Sequence, residues 1–311
     1  MDVRTQRLIK YINIKGAGLE LGPLTSPILT KEAANIHYVD HLSLADLKEK
    51  YRNEPVELDE IVEPDFVLGN KSLLETVGRK RFDYIIASHV IEHIPDTVRW
   101  LQDLSKVLRP GGVVSLAIPD KRFTFDITRQ ISTPAQVMGA YYDKLTRSSS
   151  AMMYDFAREC SIDIDSGTAW SDPGAYAKTK KRWSAGEVQT MCGENLDPHK
   201  YVDCHCYVYT PSSFITIMEE LMRLGLFNYE VAGMLETQTG ELEFYVSLRK
   251  IEETDPAKQT KSLPRIEEPT MAEDLAHEVE ILKQEIHMIK HSISWKVTRP
   301  VRKIRGLLRR P

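Results

Sequence analysis

Residues 82–120 read FDYIIASHVIEHIPDTVRWLQDLSKVLRPGGVVSLAIPD, and the order of apolar runs in this stretch decides the fold. Phe82–Ala87 is a continuous apolar run of strand length, and Val113–Ile118 is another, closed by Pro119 and Asp120. Between them, Thr97–Leu108 places apolar residues at 98, 101, 104, 107 and 108, which is one face of a helix. Arg109-Pro-Gly-Gly then stops that helix and turns the chain. A strand, a crossover helix and a second strand indicate a parallel sheet.

The same alternation extends upstream. Ala17–Leu21 reads as a strand running into a turn with Gly22 and Pro23. Ile36–Val39 is a second strand ending at Asp40, and Phe66–Leu68 a third ending at Gly69. Downstream, a helix at about Ser212–Gly225 precedes two more strands, Phe227–Val231 and Glu243–Leu248. The intervening residues 121–210 are too many for an ordinary loop and predict an inserted cap. One domain over residues 1–250 is expected, then a charged, proline-containing linker at 251–270.

Leu275, Val279, Leu282, Ile286, Ile289 and Ile293 recur at heptad spacing. They predict a coiled-coil helix over 271–293, either pairing as a parallel homodimer through 275–293 or packing back on the core. Residues 294–311 form a basic tail. Lys296–Pro311 holds seven Lys/Arg and no acid, so against a net charge of −4 the preceding residues carry −11. With Trp295 and the apolar positions Val301, Ile304, Leu307 and Leu308, residues 295–311 are read either as a peripheral membrane contact or as a disordered tail.

The composition excludes several classes. No global basic field argues for nucleic acid, and no apolar run reaches the roughly 18 residues of a membrane span. Four cysteines in 311 residues do not make a disulfide framework. The N-terminus lacks the apolar block of a signal peptide, so a cytoplasmic location is expected, peripheral at the inner face of the membrane if the tail docks there.

Candidate site residues lie where open parallel sheets bind ligands, beyond the C-terminal strand ends near the switch in strand order. Gly22 lets backbone approach a ligand closely, and Asp40 follows it by 18 residues, at the end of a strand where it can accept from ribose hydroxyls. The ordered set of LELG (19–22 with Glu20), HYVDH (Asp40), Gly69-Asn70, SHVIEHIPD and VLRPGG resembles the class I S-adenosylmethionine-dependent methyltransferases, in particular those of bacterial surface-polysaccharide synthesis. The resemblance covers about residues 18–126, more weakly to 250. It implies a Rossmann-like, seven-stranded, mostly parallel α/β sheet with the last strand antiparallel, and S-adenosyl-L-methionine as cofactor. It places Glu20 and Gly22 at the methionine moiety, Asp40 at the ribose, Asn70 at the adenine edge, and Ser88 and His89 near the sulfonium. The chain departs from the family at Pro23-Leu24-Thr25-Ser26-Pro27, where more glycines are usual.

Methyl transfer needs alignment of a nucleophile, and a hydroxyl acceptor is helped by a general base. His205, in YVDCHCYVYTP, is the candidate base, oriented by Asp203 or Asp120, with His199 and His93 as runners-up. A small-molecule or glycan acceptor is expected. The rival reading is a catalytically inactive scaffold of the same fold in a glycan-assembly complex, and a nicotinamide dehydrogenase lacks its G-x-G-x-x-G turn. Cys204 and Cys206, with Cys192 and His199 nearby, raise zinc, but no second C-x-x-C pair supports it, so free thiols and no metal are expected. YAKTKKRWS (176–184) is read either as a solvated loop or as an anion contact.

Overall fold

A computed structural model describes residues 1–266 except 173 and 253. In chain order its strands are β1 (Gly18–Leu21), β2 (Ile36–Asp40), β3 (Phe66–Val67), β4 (Phe82–Ser88), β5 (Leu108–Pro119), the short pair β6 (Ser161–Ile162) and β7 (Lys180–Lys181), β8 (Tyr229–Leu235) and β9 (Glu243–Lys250). The helices are α1 (Val3–Ile9), α2 (Leu44–Lys50), α3 (Leu73–Val77), α4 (Thr97–Val107), α5 (Pro134–Tyr142), α6 (Ser150–Glu159), α7 (Ser166–Ser171), α8 (Ala185–Asn195), α9 (Pro211–Arg223) and α10 (Pro256–Gln259).

Seven strands form one sheet in the order β3-β2-β1-β4-β5-β9-β8. Its first five members are parallel, and β9 runs antiparallel to both β5 and β8. This is the expected Rossmann-like α/β sheet. The order reverses between β1 and β4, so the crevice at their C-terminal ends is the place for a ligand.

Both faces of the sheet are covered, which is why β4 and β5 read as unbroken apolar runs. Along β4, Ile85 packs into a large core with Leu101 and Leu104 of α4 and Phe214 and Met218 of α9. Its neighbours Tyr84 and Ile86 face a smaller core with Leu8, Ile28, Leu29, Tyr38 and Tyr245. Alternate residues thus serve opposite faces, as the period of a strand requires.

The smaller core is built unusually. The connection from β1 to β2 carries no helix, because Pro23 and Pro27 interrupt any helical ladder there. Its Ile28 and Leu29 pack on the sheet directly, and α1 supplies Leu8 beside them. Gly18 faces the Tyr84 ring so closely that an added Cβ would lie 2.2 Å from it. The first glycine of GLELG is therefore a packing requirement.

Three expectations change. Leu108 is not the end of the helix but the first residue of β5, already paired with Phe82, and the register jumps to Tyr84–Val113. Arg109-Pro-Gly-Gly is thus a bulge inside the strand, with Gly111 at φ +73°; Lys250 Nζ donates to the carbonyls of Ser105 and Leu108 at this junction. The strand expected at 227–231 begins two residues later and runs to Leu235. Residues 256–262, part of the linker expected at 251–270, instead cover the edge of β8. Gln259 Nε2 donates to the carbonyls of Phe227 and Tyr229, and Val231 N–H donates to Ser262 Oγ. An edge strand left with unpaired amides invites association, and this strap closes it.

Residues 121–210 carry α5, α6, α7 and α8, and Val137, Met153 and Phe156 join the same core as the sheet. No helix among the described residues is long and apolar enough to cross a membrane. The coiled-coil reading of 271–293 and the tail at 294–311 lie outside the described residues.

Candidate active site

The C-terminal ends of β1 and β4 open into a cleft of about 230 Å³ lined by Arg4, Glu20, Leu21, Gly22, Pro23, Ser26, Ser88 and His89. Four of the six residues expected at the cofactor are in this lining. Gly22 holds φ +60°, and an added Cβ there would make only ordinary contact with Val90. The conformation, not space, asks for glycine.

Glu20 is buried and turned inward. Its Oε1 accepts from Ile28 N–H at 2.7 Å and its Oε2 from Leu29 N–H at 3.4 Å. Those bonds pin the helix-free loop. Burial dominates over them and pushes the carboxyl up to about 7.

Arg4, from α1, carries no sequence signature that points to this site. Its Nε and Nη2 grip Glu243 at 2.7 and 2.9 Å, and Nη2 also donates to Ser88 Oγ. His89 Nε2 lies 2.7 Å from Glu243 Oε2, and Tyr245 donates its hydroxyl to Oε1 at 2.6 Å. Burial raises the Glu243 carboxyl, but the His89, Arg4 and Tyr245 hydrogen bonds outweigh it and hold it at about 2. His89 sits at φ +53°, a conformation that costs a non-glycine residue energy and recurs at functional sites.

Asp40 ends β2, buried, with Oδ1 accepting from His41 N–H at 2.7 Å and 2.6 Å from His41 Nδ1. Asn70 is exposed after Gly69, whose φ is +51°. Neither lines the cleft itself.

A second cluster adjoins the first. Past His89 the chain turns through a short 3-10 helix, Ile91–His93, and the return of residues 204–207 from the insert is bonded onto it. Cys206 N–H and Tyr207 N–H donate to the Glu92 carbonyl at 2.7 and 3.2 Å, and the Tyr207 hydroxyl donates to the Pro95 carbonyl at 2.7 Å. This brings His205 against His93, ring centroids 4.7 Å apart and nearly perpendicular.

The carboxylate that holds His205 is neither Asp203 nor Asp120. His205 Nδ1 lies 2.5 Å from Asp126 Oδ2, and Arg129 fixes this unit by donating to Asp126 Oδ1 and to the His205 carbonyl, each at 2.9 Å. Burial would raise Asp126, but the His205 hydrogen bond and charge, then Arg129, keep it below the usual carboxylate range. Asp203 instead holds His93, Oδ1 to Nδ1 at 2.9 Å, and accepts from the Tyr201 hydroxyl at 2.9 Å. Burial lowers His93, but Asp203 and Glu92 raise it more, to about 9. Asp120 is fully buried and spent on Arg122 and Thr237, so it is a structural anchor at the end of β5.

The remaining candidates are peripheral. His199 is exposed beside Asp197. Cys204 and Cys206 are buried free thiols with sulfurs 4.0 Å apart. In the 176–184 segment Lys178 pairs with Asp172 and Lys181 with Glu159.

Residues 17–114 match a family described as the methyltransferase domain. No curated protein matches the sequence. Among solved structures the chain is similar to the CcbJ methyltransferase from Streptomyces caelestis (14% identity, TM-score 0.39, covering 79% of this chain and 93% of that one). It is also similar to an S-adenosylmethionine-dependent methyltransferase from Methanosarcina mazei (15% identity, TM-score 0.38, 78% and 96%). The match to a methyltransferase domain spans residues 17–114, about a third of the chain, and the cofactor of that class is S-adenosyl-L-methionine.

Proposed function

We propose that the protein methylates an oxygen atom of a polar small molecule, a sugar or glycan precursor. S-adenosylmethionine, when bound, supplies a methyl group already activated on a sulfonium. The chain's own residues then have two tasks: holding the cofactor and presenting the acceptor oxygen.

The first task falls to the cleft, with Arg4 toward the carboxylate end, Gly22 giving close backbone approach, and Asp40 toward the ribose. Asn70 is assigned to the adenine edge from the family resemblance. Ser88 and His89 lie between the cleft and the second cluster.

The observation that carries the oxygen reading is the second cluster itself, where Glu92, His93 and His205 stand together next to His89. Within this cluster His205, braced by Asp126, is the group to accept a hydroxyl proton as the oxygen takes the methyl group, and positioned proton acceptors are typically worth 10²–10⁴-fold in rate. Tyr201, exposed and tilted against His41, adds an aromatic surface of the sort a sugar ring stacks on.

Purified protein incubated with labelled cofactor and a panel of free and nucleotide-linked sugars is expected to yield O-methylated sugar and S-adenosylhomocysteine. Turnover confined to amines or carbon acids would overturn the reading. From sequence alone we further propose that 275–293 pairs two copies and that 295–311 touches a membrane surface.

A further inference from the structure

Glu92 is 1% exposed, yet neither of its carboxylate oxygens has a hydrogen-bond partner. A buried carboxylate left this way is costly, and buried polar groups are paired in the great majority of proteins. His89 Nδ1 and His93 Nε2 each lie 3.9 Å from Glu92 Oε1. Oε1 thus faces two imidazoles without a hydrogen bond to either.

Those imidazoles are held alike. His93 has Nδ1 fixed by Asp203, and His205 has Nδ1 fixed by Asp126, so each is left with Nε2 to offer. A carboxylate behind a histidine fixes tautomer and ring orientation and is the usual outer support of a metal-bound imidazole. One ligand atom from each of Glu92, His93 and His205 lies within 4.8 Å of the other two. A tetrahedral zinc with bonds of about 2.0–2.1 Å holds its ligands roughly 3.3 Å apart, so side-chain rotation of about 1 Å closes the set. The backbone bonds from Cys206 and Tyr207 to Glu92 keep the two contributing segments together before any ion arrives.

We propose that Glu92, His93 and His205 bind one divalent metal ion of the zinc class, with a coordination position left open toward the acceptor. Two imidazoles and one carboxylate suit zinc and its neighbours in the first row, whereas magnesium and calcium favour all-oxygen sets. One negative ligand leaves the ion a net positive charge, able to lower the pKa of an oxygen that occupies the open position. That role toward the acceptor rests on the oxygen-transfer reading above; the binding of the ion does not.

The test uses the full chain, stripped with a chelator and titrated with zinc chloride in the absence of cofactor and acceptor. One zinc per chain, bound at micromolar concentration or tighter, is expected, together with a rise in melting temperature. Glu92→Gln and His205→Gln are each expected to weaken binding at least 100-fold while the metal-free melting temperature stays within a few degrees. Cys204→Ser/Cys206→Ser and His199→Ala are expected to bind zinc as the parent does. Cobalt substitution is expected to give a spectrum without a thiolate charge-transfer band. No zinc binding below about 100 µM overturns the site, as does binding that survives Glu92→Gln and His205→Gln or is lost with the cysteines. Should those variants fail to fold, the cobalt spectrum of the parent decides. Failure of the transfer reading looks different: stoichiometric zinc with no methylated oxygen product.

Discussion

The two polar clusters lie side by side, with His89 between them, and are finished in opposite ways. In the cofactor cleft every charge is answered: Arg4 and His89 close on Glu243, and Glu20 is spent on the loop amides. In the neighbouring cluster the histidines are braced from behind, but neither carboxylate oxygen of Glu92 has a hydrogen bond. The first region is stable without its ligand and must rearrange Arg4 to admit one. The second is pre-set and unsatisfied, the condition of a site whose ligand completes it. Interactions that look alike in a sequence, an acid near a histidine, thus divide into closure and readiness.

The comparison breaks most sharply at Asp126. Asp126→Asn removes the brace of His205 and leaves Arg129 without its buried partner, and turnover is expected to fall about 10²–10⁴-fold, read as S-adenosylhomocysteine release; a change under tenfold would detach His205 from the chemistry. Next come the cofactor contacts. Asp40→Ala is expected to weaken cofactor binding by about 100-fold and Arg4→Ala by about tenfold, in line with the loss of charge-assisted bonds, both by calorimetric titration. Tighter binding after Arg4→Ala would show that the Arg4–Glu243 pair only obstructs the cleft.

The two buried acids of the cleft predict opposite pH responses. Glu20 is raised in the folded chain, from 4.5 to about 7, so the folded state binds the extra proton and stability falls as pH rises from about 4.5 to 7, by about 3 kcal/mol. Glu20→Gln is expected to flatten that slope in denaturant titrations. Glu243 is lowered to about 2, so its contribution of about 3 kcal/mol is complete above pH 4.5 and is lost as pH falls toward 2. A parent and a Glu243→Gln variant with parallel curves across that window would overturn the assignment. The smallest effect is at the β8 edge, where Gln259→Ala leaves the carbonyls of Phe227 and Tyr229 without their donor and is expected to cost about 1–3 kcal/mol.

Much of the sheet was legible because a parallel strand buried on both faces writes an apolar run, and an amphipathic crossover helix writes a period of 3.6. Phe82–Ala87, the helix read at Thr97–Leu108 (observed to Val107) and the antiparallel β9 followed from those patterns and from the family resemblance. The errors fell where sequence neighbours do not decide the outcome. Arg109-Pro-Gly-Gly has turn chemistry, yet it bulges within β5 because Leu108 finds Phe82 across the sheet. Residues 251–266 have a linker's composition, yet Gln259 and Ser262 meet open backbone groups of β8.

The site divides in the same way. Gly22 was readable as the turn after a strand, and Glu20, Ser88 and His89 were named from the family resemblance; the topology brings all four to one cleft. Arg4, Glu243 and Asp126 were not, since each acts on a partner tens to hundreds of residues away. The sequence by itself determined that strands and helices alternate, which fixes a doubly covered sheet and a ligand crevice at the switch between β1 and β4. Only the tertiary structure decided which carboxylate serves which histidine, because hydrogen bonds depend on ångström distances between segments that periodicity does not encode. That choice gave His205 to Asp126 and His93 to Asp203, and left Glu92 between them.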